Sequence, residues 1–396
     1  MLGAAIKAHK AGRLDEADLG YGAVLQDDPE QADALHFRGM LRFQRLQSEE
    51  GILLVRRSLE AAPGNAHAWN NLGNMLQVTG ARQAAIDAYR RATELMPVLH
   101  VAWYNLGVLQ RLQGNFEACI ECMELALKLQ PGLIAAYEAI GILHYARGDH
   151  AAARDLYRRW LAVEPQSPIA RHMAHATDPE QPAPERADDD YVRKVFDDFA
   201  ENFDKNLAAL DYRAPALVAA LVQDQAEYQS GRADVLDAGC GTGLCGPLLR
   251  STARRLVGVD LSGQMLLRAR ERGCYDELLE AELCAAMNAR PAAYDLIVSA
   301  DTIVYFGVLD GVYAAAFAAL RPGGAFAFTV EAWLDVDVEA GFQIDPSGRY
   351  RHDRGYVTTR AQAAGFDVID VKAGVLRQER RADVHGWVVL LRRPAA

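Results

Sequence analysis

Pro29, Pro63, Pro97, Pro131 and Pro165 stand 34 residues apart, and a period of that length kept over so many units leaves few folds open. Gly39, Gly73, Gly107 and Gly141 keep the same period, each shortly after a bulky side chain: Leu35, Trp69, Trp103 and Tyr137. Tyr21, Val55, Tyr89, Met123 and Tyr157 hold a second register. Proline stops a helix, so each unit closes at its proline, and a glycine within the helical pattern lets a neighbouring helix approach closely. The pattern predicts an all-α solenoid of antiparallel helix pairs, because one pair alone cannot bury its apolar face. It spans residues 1–165 as about five repeats. The register places Met1 at the fourth position of a unit, so the first repeat is incomplete, trimmed by the start codon or cut from a longer array. Residues 166–178 are apolar enough for a capping helix, and residues 178–184 (DPEQPAP) are too proline-rich for one. Residues 166–189 are therefore expected to be cap and linker.

A different pattern begins at Val235. An apolar run breaks into Gly239, Gly241 and Gly243, with Asp237 two residues ahead of the first. The next apolar run, Arg255-Leu256-Val257-Gly258-Val259, ends in Asp260, and Leu278-Leu279-Glu280-Ala281-Glu282-Leu283 brings a third acid. This is strand, tight turn, helix, second strand. Glycine takes positive φ freely and lets a ligand lie against bare backbone. A carboxylate at the end of the second strand is placed to accept from both ribose hydroxyls of a nucleoside. Two cofactors compete, since Gly241, Gly243 and Gly246 also satisfy the dinucleotide pattern G-x-G-x-x-G. The glycine in register with the strand is Gly239, however. Asp237 is an anion that would repel a pyrophosphate and attract the ammonium of S-adenosylmethionine. Glu282 suits an adenine amino group.

This ordered set resembles class I S-adenosylmethionine-dependent methyltransferases. Tyr294-Asp295-Leu296-Ile297-Val298-Ser299-Ala300-Asp301 is similar to that family's fourth strand, and Leu320-Arg321-Pro322-Gly323-Gly324 to the turn before its fifth. The resemblance covers residues 190–396. It implies an α/β Rossmann-like domain, with a mostly parallel seven-stranded sheet and helices on both faces. It implies S-adenosylmethionine as cofactor, S-adenosylhomocysteine as product, and contacts from Asp237, Gly239, Cys240, Gly241, Gly243, Asp260, Leu261, Glu282, Leu283 and Ser299. The family usually has Asp where Glu282 stands, so the reach to adenine differs here. The repeats resemble tetratricopeptide repeats, and the whole chain resembles a bacterial group of methyltransferases carrying them. Residues 191–210 place Phe196, Phe199, Ala200, Phe203 and Leu207 at helical spacing. Such a helix covers the sheet, and in similar methyltransferases it folds over the cofactor; Tyr212-Arg213 then reaches toward the methionyl end.

Transfer from a sulfonium needs in-line alignment, exclusion of water and, for a protonated oxygen or nitrogen acceptor, a base. The candidates are His352, Asp301 and Tyr305, with Glu331 a fourth. His352, in Gly348-Arg349-Tyr350-Arg351-His352-Asp353, is expected on the acceptor side, or else in an exposed loop. Asp301 and Tyr305 follow the fourth strand, where they move protons, pack, or orient the substrate. No N-P-P-[YF] tetrad follows that strand, which removes nucleobase amines as acceptors.

Charge limits the partners. The net charge of −11 divides into −3 for residues 1–187 and −8 for the remainder. Binding a phosphate backbone needs clustered Lys and Arg, so no nucleic-acid partner is expected. No apolar stretch reaches bilayer length and the N-terminus is not signal-like, which predicts a cytoplasmic protein without a membrane partner. Cys119 and Cys122 fall on the second helix of a repeat, where Ala85 and Ala153 hold the Cys119 slot; packing, with no metal site, is expected. His172 and His175 fall in the cap. Asn71 and Asn105 share one position on successive first helices, where their amides either hold an extended peptide or link neighbouring helices. A peptide or protein partner in the repeat groove follows, and the acceptor is a peptide, a protein or a carrier-delivered small molecule. The competing class is a scaffold that binds the cofactor without turnover. The oligomeric state is not indicated.

Overall fold

The computed structural model describes residues 1–225, 227–228, 231–334 and 341–395, which form two compact units, Met1–Arg147 and Gly148–Ala396. The first is helical. α1 (Leu2–Lys10) pairs with α2 (Leu14–Asp27), α3 (Ala32–Gln44) with α4 (Ser48–Ala61), and α5 (Ala66–Val78) with α6 (Arg82–Leu95). α7 (His100–Leu112) pairs with α8 (Phe116–Leu129), and α9 (Ile134–Arg147) closes the unit. α1 has 9 residues where α3, α5 and α7 have 13. The second helices α2, α4, α6 and α8 all stop just before a periodic proline. Trp69 and Trp103 donate from Nε1 to the carbonyls of Pro63 and Pro97, both at 2.9 Å, so the bulky residue of each unit ties down the turn its proline makes.

The two sequence registers meet in space. A Cβ on Gly73 would stand 2.5 Å from the Tyr89 ring, one on Gly39 2.7 Å from Val55, and one on Gly107 2.9 Å from Met123. Glycine is thus the hole and the second register the knob. Asn71 Nδ2 donates to His36 Nε2 at 3.0 Å, and Asn105 Nδ2 donates to Oδ1 of Asn70 and of Asn74 at 3.1 Å. Burial brings the His36 imidazole down to about 4, so it is neutral and accepts. Both amides link one first helix to the preceding one. Cys119 and Cys122 are buried free thiols on α8, with Cys119 Sγ 3.8 Å from Met123 Sδ.

The second unit opens with α10 (His150–Val163), α11 (Pro168–Thr177), α12 (Asp189–Phe199), α13 (Phe203–Ala208) and α14 (Ala214–Gln223). Strands and helices then alternate: β1 (Ala233–Ala238), α15 (Gly246–Leu249), β2 (Ala253–Asp260), α16 (Gly263–Glu271), β3 (Glu277–Glu280), α17 (Leu283–Asn288), β4 (Tyr294–Ser299), α18 (Asp310–Ala319) and β5 (Leu320–Ala332). β6 (Phe342–Ile344), β7 (Tyr350–His352), α19 (Arg354–Ala363), β8 (Asp367–Glu379) and β9 (Ala382–Arg392) complete it. β3, β2, β1, β4 and β5 are parallel neighbours in that order; β9 lies antiparallel beside β5, and β8 beside β9. These are the seven strands expected. β6 and β7 add a short antiparallel hairpin, in which β7 pairs only with the end of β5, Glu331 with Arg351 and Ala332 with His352. Alternate residues feed two cores: Leu236, Val257, Ile297 and Phe326 with α17, α18 and α19, and Val235, Leu256, Leu296 and Ala325 with α14. Helices therefore cover both faces, as a parallel sheet requires.

Residues 166–189, expected as cap and linker, carry α11 and a hydrogen-bonded segment. The boundary between units falls at 147/148, ahead of α10, and residues 184–187 are pinned to the second unit. Tyr350 Oη donates to the Pro184 carbonyl at 2.9 Å, the Gly307 and Val308 amides donate to the Glu185 carbonyl at 2.8 Å, and the Ala187 amide donates to the Tyr305 carbonyl at 2.8 Å. On α11, His172 donates from Nε2 to the Gly348 carbonyl at 2.7 Å and stacks on Tyr191 with ring centroids 3.9 Å apart. Proline excludes helix here, yet the free carbonyls and amides find partners in the turn after β4. No helix of the described residues is long and apolar enough to cross a membrane.

Candidate functional site

A cavity of about 290 Å³ opens at the carboxyl edge of the parallel strands. Its floor is the turn after β1. The amides of Gly239 and Cys240 donate to the Val259 carbonyl at 2.8 and 2.9 Å, fastening the turn to β2. Gly239 has φ +77°, and a Cβ there would run into Thr302. Gly241 has φ +54°, and its Cβ would meet nothing within 4 Å, so this stretch of backbone lies bare to the cavity. Asp260 closes the same edge. Its Oδ2 accepts from the Gly241 amide at 2.8 Å and its Oδ1 from the Ser262 amide at 2.9 Å, while burial pushes its carboxyl up. Each oxygen keeps a lone pair for a ligand hydroxyl. Glu282 caps α17 through the Ala285 amide at 2.7 Å and takes Arg186 Nη1 at 2.9 Å. Leu261, Leu283 and Cys240 join the wall.

The other wall is a lid. Val192, Val195, Phe196 and Phe199 of α12, with Phe203 and Leu207 of α13, line the cavity. Polar latches hold this lid to the sheet edge. Ser262 Oγ donates to Asp197 at 2.6 Å, Thr242 Oγ1 donates to Asp204 at 2.5 Å, and Arg272 pairs with Asp204. Phe196 meets Tyr305 edge to face, centroids 5.6 Å apart. The amphipathic spacing of residues 191–210 thus covers a ligand site as well as the sheet. Tyr212 lines the cavity; Arg213 does not, and pairs with Asp211 instead.

Beyond Thr302, whose Oγ1 donates to the Gly239 carbonyl at 3.1 Å, charged groups cluster. Arg377 reaches both Asp301 oxygens from Nη1 at 2.8 and 2.9 Å, Glu379 from Nε at 2.6 Å, and Glu331 from Nη2. Arg349 reaches Glu331 from Nε at 2.6 Å and both Glu379 oxygens from Nη2 at 2.6 and 2.8 Å. Asp301, Glu379, Arg349 and Arg377 face the cavity, with Glu331 buried behind them. Burial alone would raise the Glu379 carboxyl, but Arg349 and Arg377 bring it down to about 2. Asp301 follows β4 at φ +58°, a conformation that costs a non-glycine residue about 1 kcal/mol or more and recurs at functional sites. The sequence pattern missed Arg349, Arg377 and Glu379. Two signals were present: Arg377 and Glu379 lie two apart on β8, hence on one face, and Arg349 stands three residues before His352.

Four expected site residues lie elsewhere. His352 is fully buried on β7, where its Nε2 donates to the Gly307 carbonyl at 3.2 Å and its ring stacks on Tyr356. Burial brings its imidazole down to about 4, and it does not line the cavity. Pairing of β7 with β5 turned a presumed loop into a strand. Ser299 is also buried and donates to the Ala238 carbonyl at 2.7 Å, tying β4 to β1. Gly243 faces away from the cavity toward Arg272 and Tyr275. Asp237 is turned beneath the loop and accepts from Tyr275 Oη at 2.6 Å. Gly239, Cys240, Gly241, Asp260, Leu261, Glu282, Leu283, Asp301 and Tyr305 are brought together around one space.

The fold and this cavity define a Rossmann-like domain that takes a nucleoside cofactor at the edge of its sheet, preceded by a helical repeat array. Residues 235–324 match the family model described as a methyltransferase domain, and residues 66–98 and 99–163 match tetratricopeptide repeat models. The chain therefore carries tetratricopeptide repeats ahead of a class I S-adenosylmethionine-dependent methyltransferase domain. It is 25% identical to a biotin biosynthesis bifunctional protein of Saccharophagus degradans, over 49% of this chain and 34% of that protein. It is 35% identical to a malonyl-acyl-carrier-protein O-methyltransferase of Enterobacter lignolyticus, over 26% of this chain and 45% of that one. The chain thus spans less than half the length of these two relatives. A solved structure of MamA is 28% identical over 41% of this chain and 95% of its own, with a TM-score of 0.38, too loose a likeness to add to the assignment.

Proposed function

We propose that the chain is an S-adenosylmethionine-dependent methyltransferase acting on an oxygen or nitrogen acceptor, and that its repeats dock the peptide, protein or carrier that brings the acceptor. The observation that carries this is the single cavity bounded by the bare Gly239–Gly241 turn, Asp260 and Glu282 on one side and the Asp301–Arg377 cluster on the other, under an aromatic lid. The residues fit the donor. Asp260 would accept from the ribose hydroxyls and Glu282 would face the adenine, while the glycine turn would leave room for the methionyl chain. S-adenosylmethionine supplies a methyl group already activated as a sulfonium. What remains for the protein is to align the acceptor in line with that methyl group and keep water out. Phe196, Phe199 and Phe203 do the second. The likeness to an O-methyltransferase that acts on a carrier-bound acyl group supports an oxygen acceptor delivered by a carrier, over the cofactor-binding part of the chain.

Titration calorimetry with S-adenosylhomocysteine, run beside transfer of labelled methyl into cell extract, tests the proposal. Micromolar binding that weakens about ten- to a hundredfold in Asp260→Ala, together with labelled product, is the expected outcome. Binding without any transfer would leave a cofactor-binding scaffold instead.

A further inference from the structure

Resting on the methyltransferase reading above, the geometry of the charged end points to the acceptor: we propose that it is a carboxylate, held by Arg349 and Tyr305 and converted to a methyl ester. Arg349 lines the cavity and directs Nε and Nη2 at Glu331 and Glu379, which leaves Nη1 without a partner among the described residues. The Tyr305 hydroxyl also lines the cavity without a partner there, close enough to Arg349 and Asp301 to feel both charges. Two unspent donors, one of them cationic, face one space. A guanidinium N–H open to a cavity is satisfied best by an anionic oxygen.

Among the described residues, the same end lacks a free base. Both Asp301 oxygens are on Arg377, and Glu379 accepts from both arginines. Burial pushes the Tyr305 phenol up to about 12, so it stays protonated and donates. His352 is sealed away on β7. A hydroxyl acceptor has to lose a proton during transfer and an ammonium has to lose one before it, whereas a carboxylate loses none. One oxygen of the acceptor accepts from Arg349 and Tyr305. A lone pair of the other forms the new C–O bond as the C–S bond breaks with its electron pair going to sulfur. The products are a neutral methyl ester and a neutral thioether, and no proton moves. Because opposite charges cancel along this path, the apolar wall of Phe196, Phe199 and Phe203 favours it.

The chemistry of the product is the test. Full-length protein is incubated with methyl-tritiated S-adenosylmethionine and an extract of its source cells, and the labelled fraction is treated with alkali. A methyl ester releases volatile labelled methanol; that is the expected result. Label that survives alkali, as in N-methyl groups and ethers, overturns the proposal. Absence of any label from a protein that binds S-adenosylhomocysteine overturns the methyltransferase reading itself, and this inference with it. Tyr305→Phe, which keeps the ring, should lower transfer about tenfold at limiting acceptor. In Arg349→Gln, S-adenosylhomocysteine affinity should stay within about twofold of the parent. A large loss of that affinity would mean that the guanidinium holds the methionyl carboxylate of the cofactor, and would refute the acceptor assignment.

Discussion

Replacing Asp237 by Asn should make the ligand-free protein more stable at alkaline pH, by an amount the structure sets. Asp237 lies under the glycine turn at 1% exposure; Tyr275 Oη donates to its Oδ2 at 2.6 Å, and its Oδ1 has no partner among the described residues. Burial lifts its carboxyl to about 7, against the pull of the Tyr275 hydroxyl and with help from the charge on Asp260. The folded protein then keeps a proton that the unfolded chain releases near 3.8, so ionising Asp237 destabilises the fold. The cost is absent well below 3.8, grows as pH rises toward 7, and is complete above it. At about 1.4 kcal/mol per pH unit, its full size is about 4 kcal/mol. Between about pH 5 and pH 8 the part that develops is roughly 2 to 3 kcal/mol. Urea unfolding of parent and Asp237→Asn at both pH values reads this directly, because every other titration cancels in the difference. The variant should gain roughly 2 to 3 kcal/mol on the parent as pH rises. A difference that stays flat would show that Asp237 ionises freely, and would refute the buried, Tyr275-bonded placement.

Other outcomes follow from the same contacts. Asp260→Ala should weaken S-adenosylhomocysteine binding by about 1.5–3 kcal/mol in calorimetry, since it removes acceptors for the ribose and the anchor of the Gly241 amide. His352→Gln keeps a donor for the Gly307 carbonyl, so the transfer rate should change less than about twofold while the melting temperature falls; a tenfold loss of rate at unchanged cofactor affinity would restore His352 as a base. Gly73→Ala drives a methyl group into the Tyr89 ring and should cost the repeat unit about 1–3 kcal/mol, seen as an earlier loss of helical circular dichroism. A chain begun at Gly148 should bind S-adenosylhomocysteine about as tightly as the full protein and use its natural acceptor more slowly. One begun at Asp188 loses the Glu185 and Ala187 backbone bonds and the Arg186–Glu282 pair, and should bind more weakly; equal affinity would free the segment of any part in the site.

Features that repeat along one element were open to a reader of the sequence, and features made by convergence were not. Pro63, Pro97, Gly73 and Tyr89 mark a period that any single strand of text displays, and the contacts between Gly73 and Tyr89 merely join two registers already visible. The turn at Gly239 and Gly241 is likewise local: strand, glycine and acid follow one another within a few residues, so Asp260 could be placed at the sheet edge before the fold was known. Asp237 sits in the same stretch but does not line the cavity, because period-two alternation tells which face a side chain takes only if the strand's last residue is known. His352 lies outside the cavity for a related reason. β7 is three residues long and two of them pair with the end of β5, too short a run to show strand periodicity, and that pairing buries the ring.

The charged end of the cavity illustrates the remaining gap. Asp301 follows β4, Glu331 lies on β5, Arg349 precedes β7, and Arg377 and Glu379 end β8. They meet because β9 runs back along β5, setting Glu331 opposite Gly386, and β8 runs along β9. Register between strands is settled by packing on both faces of the sheet at once, through residues such as Phe326, Val330 and Leu390 that carry no chemistry. Desolvation then does what spacing alone cannot indicate. Two arginines and three carboxylates that would be scattered surface charges become a network in which each guanidinium has fixed directions left to offer. Among the described residues of that network, the Nη1 group of Arg349 is a donor still open to the cavity. The acceptor's chemistry is therefore written in which hydrogen bonds the fold has already used, a property of five residues jointly and of none of them in its own stretch of chain.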